Sequence, residues 1–199
     1  SPFGAVARWN YQNRSWAQVG QGISGSVNAL IVVEDSLYAA GRLTVKDAED
    51  QVIASNLAVW DGANWQPVGE RGFSSEVSAL AVGRNGHLYA VGNFDSGVLR
   101  WDGNQWHRLG DYDSAGIGRE SSHDCPNEAN RVHDVLVHDG YVYIGGSFEY
   151  ISAPNSGKIP FSQNFARWNS TTGIWEGLGN VGKACEPVTS IGVYRDEIY

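Results

Sequence analysis

The sequence predicts an all-β chain of repeated four-stranded antiparallel units, the construction of a β-propeller, and three observations carry that expectation. All eight tryptophans fall into pairs: Trp9/Trp16, Trp60/Trp65, Trp101/Trp106 and Trp168/Trp175. Each pair is followed by an apolar run starting at Val27, Val77, Val132 or Val188. Each such run leads into a tyrosine-bearing one, SLYAAGRL, HLYAVGNF, YVYIGGSF and a truncated EIY, and no stretch shows sustained helical periodicity. Self-similarity at a period of about 40 to 70 residues means stacked supersecondary units, and four antiparallel strands per unit make a propeller blade.

Strand a of each blade is the VNALIV type, nearly continuous in apolar character, which suits a strand covered on both faces. Turn residues (Glu34-Asp35-Ser36, Arg84-Asn85-Gly86, His138-Asp139-Gly140) separate it from strand b, the LYAAGRL type. Glycines in strand b permit close backbone packing. Strands c (LAVWDG) and d (WQPVG) alternate apolar and polar residues and are joined by tight hairpin signals such as Asp61-Gly62 and Asp102-Gly103. Tryptophans on c and d are expected in the wedge between neighbouring blades, because aromatics bury the most area per residue. The expected organisation is strands c and d of one blade at 5–20, blades at 27–69, 77–110 and 132–179, and the start of another at 188–199. Joined terminal halves would close a four-bladed ring; the truncated last strand favours instead an arc from a ring of about six to eight blades.

Composition narrows the function. A net charge of −8 with no run of Lys or Arg argues against nucleic acid or an anionic membrane surface as partner. No apolar run is long enough to cross a bilayer. The chain opens within a repeat and lacks methionine, so it reads as a processed or partial piece of a longer polypeptide.

Val142–Phe148 with Phe165–Gly179 spell VYIGGSF followed by ARWN and a Trp-x-x-Leu-Gly close. This resembles kelch-type propeller repeats, and more closely the kelch-like repeats of large secreted or cell-surface proteins such as the fungal cortical polarity-marker family. The resemblance covers nearly the whole chain and implies a propeller at a cell surface. It carries little about activity, since propellers host many functions. One departure is that only Gly145-Gly146 is an intact glycine pair; the equivalent positions read Ala40-Gly41 and Val91-Gly92.

The loops give the chain its individuality. By alternation, the b–c and d–a connections lie on one face of the blades and the a–b and c–d turns on the other. The long segments Thr44–Asn56, Asp111–Arg131 and Glu149–Asn164 all belong to the first face. Long loops in compact domains are commonly functional. The third has no cysteine to anchor it, so it is expected to pack on Asp111–Arg131 or on another subunit. Cys125 and Cys185 fall in equivalent d–a loops of successive blades, which predicts a disulfide and an oxidising compartment; the competing reading is two buried thiols. Two sequons, at Asn13 and Asn169, sit in c–d hairpins and fit the same compartment.

Catalytic motifs are thin. The five histidines lack zinc spacing and no Gly-x-Ser-x-Gly occurs. Asp111, Tyr112, Asp113, Glu120 and Asp124 offer calcium-type oxygen ligands, but solvated acids in an acidic chain are the simpler reading, and no cofactor is expected. Tyr112, Arg119, His123, Tyr150 and Phe161 are the candidate binding residues of the loop face. The leading expectation is a non-catalytic extracellular module that binds a protein partner or a second copy. A carbohydrate-binding propeller, or part of a propeller enzyme with catalytic groups elsewhere, are the alternatives.

Overall fold

The computed structural model describes residues 4–70, 72–94, 97–109, 116–118, 131–153, 157–159, 162–179, 181 and 186–199. Among the described residues every regular element is a strand. The chain forms two compact units, Ser1–Val77 and Ser78–Tyr199.

In the first unit, β1 (Ala7–Asn10) and β2 (Ser15–Gln18) make a hairpin. A four-stranded sheet follows in the order β3 (Ile23–Val33), β4 (Ser36–Lys46), β5 (Val52–Trp60) and β6 (Trp65–Pro67). The second unit holds, but for Val77 at its start, the sheet β7 (Val77–Val82), β8 (Leu88–Gly92), β9 (Val98–Trp101) and β10 (Trp106–Arg108). Next come β11 (Gly116–Gly118), β12 (Arg131–His138), β13 (Tyr141–Ser147), β14 (Tyr150–Ala153), β15 (Gly157–Lys158), β16 (Phe165–Asn169) and β17 (Trp175–Gly177). Strands β12, β13, β16 and β17 form the third four-stranded sheet, and β18 (Val193–Tyr194) pairs with β19 (Glu197–Ile198). Each four-stranded sheet is an antiparallel meander of blade type.

The strand-b glycines have a specific cause. Strand a bulges at Asn28 in the first blade and at His133 in the third, shifting register between Val27 and Ala29 and between Val132 and Asp134. The bulge brings the strand-a backbone against strand b. A Cβ at Gly41 would lie 2.1 Å from the Ser26 carbonyl oxygen, and one at Gly146 would lie 2.1 Å from that of Arg131. Gly145 is the extra glycine of the third blade because a Cβ there would meet Val188 Cγ1 at 2.5 Å.

All eight tryptophans lie on strands c or d, and each hairpin pairs its two residues directly, as Trp60 with Trp65 and Trp168 with Trp175. The strand-d indoles tie blade to blade. Trp65 Nε1 donates to the Val19 carbonyl at 2.8 Å and Trp175 Nε1 to the Leu109 carbonyl at 3.0 Å. Trp65, Trp168 and Trp175 are buried core residues, whereas Trp16 is 53% exposed. That departs from the expectation that the tryptophans of c and d are all buried in the wedge between neighbouring blades. Among the described residues the β1–β2 hairpin forms a sheet of two strands.

Two more expectations change. Thr44–Asn56 is largely strand rather than loop, with β4 running to Lys46 and β5 starting at Val52. The lengthened strands bury Ile23, Leu43, Val45 and Ala54. Strand a is not covered on both faces in the first blade, since Leu30 and Val32 are exposed. The core there gathers on β4 to β6 with Val6 and Val19, beyond the reach of the outer half of β3. The run from Val188 is regular strand only at Val193–Tyr194. Its earlier N–H groups serve the preceding blade, Val188 donating to the Gly146 carbonyl at 3.2 Å and Ile191 to Asp134 Oδ2 at 2.7 Å.

Candidate functional site

The face bearing the b–c and d–a connections is organised by one repeated position. Asn56, Gly97 and Asn164 each stand four residues before the first tryptophan of a pair and adopt φ of 63°, 67° and 60°. Gly97 and Asn164 stand just before strand c and Asn56 at a register irregularity within β5, each in a left-handed conformation that asparagine and glycine tolerate best. In two blades the asparagine side chain also reaches the d–a connection. Asn56 Nδ2 donates to the Phe73 carbonyl at 2.9 Å. Asn164, fully buried, donates through Nδ2 to the Val181 and Glu186 carbonyls at 3.1 Å, while its Oδ1 accepts the Phe148 N–H at 3.2 Å.

In the first unit this face presents the extended β4–β5 hairpin. Asp47 builds its tip: its Oδ1 accepts the N–H of Glu49 at 3.0 Å and of Gln51 at 2.8 Å, and Lys46 pairs with Asp50 at 2.8 Å. A shallow cavity of about 250 Å³ lies at the hairpin base, lined by Ser24, Arg42, Thr44, Asn56 and Phe73 among others. Arg42 pairs with Glu76 at 3.2 Å, and Asn28 Nδ2 donates to Glu76 at 2.8 Å and to the Val77 carbonyl at 2.9 Å.

In the second unit the two long connections meet. Strand β11, from the d–a connection, pairs antiparallel with β14, from the b–c connection, with Gly116 opposite Ser152, Ile117 opposite Ile151 and Gly118 opposite Tyr150. β14 folds back onto β15, giving a three-stranded accessory sheet. Ile151 is its buried anchor and joins Phe148 and Trp168 in the unit's core, with Ile117 and Ile159 packed alongside. The backbone is closed by Ser162, whose Oγ accepts the Ile151 N–H at 2.9 Å and donates to the Ile159 carbonyl at 2.8 Å. On the outer side Lys158 Nζ lies 4.4 Å from the centre of the Tyr150 ring, a cation–π contact.

Of the candidate binding residues, Tyr150 is the first residue of β14, the central strand of this sheet, opposite Gly118. Tyr112, Arg119, His123 and Phe161 lie outside the described residues, as do Asp111, Asp113, Glu120, Asp124, Cys125 and Cys185. Among the described residues no group of three or more His, Cys, Asp or Glu side chains is arranged to hold a metal. Asn13 and Asn169 both occupy c–d hairpins, at different positions within them. The sequence reading missed Asn56 and Asn164; the signal was an Asn or Gly at fixed distance before Trp in three blades.

The opposite face carries the short turns. Asp102 accepts the N–H of Gln105 and of Asn104, both at 2.8 Å, and pairs with His107 at 2.6 Å, so its carboxyl is held far below the usual carboxylate range. Tyr89, whose ring is buried, has its hydroxyl pushed above its ordinary pKa by that burial.

Four-stranded antiparallel blades, linked within each unit by indole-to-carbonyl bonds, define a β-propeller protein. The Rax2 C-terminal beta propeller domain family matches residues 4–121, more than half of the chain, and the chain belongs to that family. No curated protein matches the sequence. Among solved structures, the computationally designed Ika8 protein is similar at 14% identity and a TM-score of 0.38, covering 98% of this chain and 74% of that one. So low a score adds nothing to the fold read from the strands.

Proposed function

We propose that this chain is a non-catalytic, cell-surface propeller segment of kelch-like strand pattern, whose loop face binds a protein partner or a second copy of the chain. The observation that carries the reading is the accessory sheet. Ordering two long connections has a conformational cost, and here each supplies the strand that orders the other. The sheet thus presents a preorganised surface, the condition under which loops bind with the least further entropy loss. Membership of the propeller family supports a structural role, and the sequence resemblance to cortical polarity markers supports a surface setting. A Cys125–Cys185 disulfide belongs to the same reading, and intact mass under non-reducing conditions tests it.

The binding role is tested by Tyr150→Ala combined with Lys158→Glu, and by deletion of 150–162. Self-association of the purified chain is followed by sedimentation velocity, and surface localisation of the tagged full-length protein by microscopy. Loss of either property in the variants, with the blade strands still protected from hydrogen exchange, supports the reading. Both properties unchanged in both variants would exclude the loop face as the interaction surface.

A further inference from the structure

We propose that Asn13 carries an N-linked glycan whose first sugar rests on the ring of Tyr11; this relies on the surface setting above. The four c–d hairpins begin with the same device. Asn10 Oδ1 accepts the N–H of Gln12 and Asn13 at 2.9 and 3.3 Å. Asp61 Oδ1 accepts those of Ala63 and Asn64 at 2.8 and 2.7 Å, and Asp102 performs the same role. Asn169 Oδ1 accepts those of Thr171 and Thr172 at 2.9 and 3.1 Å. Asn169 therefore stands where the turn needs an acceptor, and aspartate fills that place in two blades. Its sequon follows from the turn.

Asn13 has no such role. It lies three residues beyond the acceptor of its own hairpin, exposed, and its Nδ2 has no partner among the described residues. Its Oδ1 accepts the hydroxyl of Ser15, the third residue of the sequon, at 2.7 Å, which places the two side chains on one side of the turn. Arg14 between them takes φ of 52° and tightens the bend. Tyr11, two residues earlier, is 86% exposed and makes no ring contact among the described residues. An exposed tyrosine ring two residues before the sequon asparagine, on the same turn, suits the apolar face of a pyranose, since aromatic side chains pair a flat apolar surface with a polar tip. The Asn169 hairpin lacks this: Trp168 is buried, and Arg167 is held by Glu176 at 2.7 Å and lies over Tyr141 at 4.0 Å.

The reaction is transfer from a lipid-linked oligosaccharide pyrophosphate. The amide Nδ2 of Asn13 bonds to the sugar C1, the C1–oxygen bond to the pyrophosphate breaks, and the amide releases one proton. The test secretes the 199-residue chain from a eukaryotic host behind an added signal peptide, so that exposure to the transferase does not depend on the native location. Peptide mapping after enzymatic deglycosylation is expected to find Asn13 occupied. Removing the glycan should lower Tm by about 2–4 °C in the parent and in Tyr11→Phe, and leave Tm unchanged in Tyr11→Ala. An unoccupied Asn13 in the secreted protein overturns the proposal. So does an equal Tm change in Tyr11→Ala. Failure of the native protein to reach the surface would instead count against the setting alone.

Discussion

The first and third blades both carry a long insertion between strands b and c, and they order it in different ways. In the first blade the insertion continues the blade: β4 and β5 extend in antiparallel register, with Val45 opposite Ala54, and bury their own apolar residues. In the third blade the chain leaves the sheet after Ser147 and builds β14 and β15, which require β11 from another connection. An insertion that extends its strands is stabilised locally. One that starts a new sheet depends on a partner distant in sequence, so its order is conditional, and conditional order suits a surface that responds to binding.

The comparison breaks most severely where backbone meets backbone. Gly146→Ala would force the third blade's a and b strands apart, and the same change at Gly41 would do so in the first. Each is expected to cost about 3 kcal/mol, the upper range for overpacking, in urea unfolding monitored by tryptophan fluorescence. An alanine at either position with parental stability would mean the bulge is not a fixed feature.

The asparagine clamps sharpen it. Among the described residues Asn164 makes three side-chain hydrogen bonds to the loop backbone and Asn56 one. Asn164→Ala is therefore expected to cost about 2–4 kcal/mol and Asn56→Ala about 1–2 kcal/mol, given roughly 1 kcal/mol net per hydrogen bond plus the penalty for groups left unsatisfied. Equal losses would show that the left-handed conformation matters and the clamp does not.

The smallest effect is on pH. Backbone N–H groups donating to Asp61 and Asp102 lower both carboxyls. A folded pKa below the unfolded one gives stability that is present above the unfolded value, about 4, and lost as pH falls through the folded value. Asn10 and Asn169 have no such charge. Amide exchange measured below pH 4 is expected to rise at 61–65 and 102–106 and stay level at 169–175, and Asp61→Asn is expected to abolish the rise at the first hairpin.

Much of this was legible in the sequence because it repeats. The paired tryptophans, the Asp-Gly hairpins and the strand-b glycines recur and so identify blades. The β4–β5 extension was legible in part: Leu43 and Val45 alternate with polar residues, but Asp47-Ala48-Glu49-Asp50 reads as a loop and masked the strands around it. Strand β11 was not legible at all. Gly116-Ile117-Gly118 has no strand propensity and becomes one only because β14 is beside it, which is tertiary context overriding local preference. That the third long segment packs on Asp111–Arg131 or on another subunit was expected from entropy alone, since a long segment without a cysteine needs another source of order.

The central claim is that the two long connections order each other, and hydrogen–deuterium exchange of the chain with and without 150–162 tests it most directly. The account predicts that Gly116–Gly118, slow to exchange in the intact chain, becomes fast in the deletion variant. Strands Tyr141–Ser147 and Phe165–Asn169, whose pairing lies outside the cut, should keep their protection. Exchange at Gly116–Gly118 that is already fast in the intact chain, or unchanged by the deletion, would contradict it.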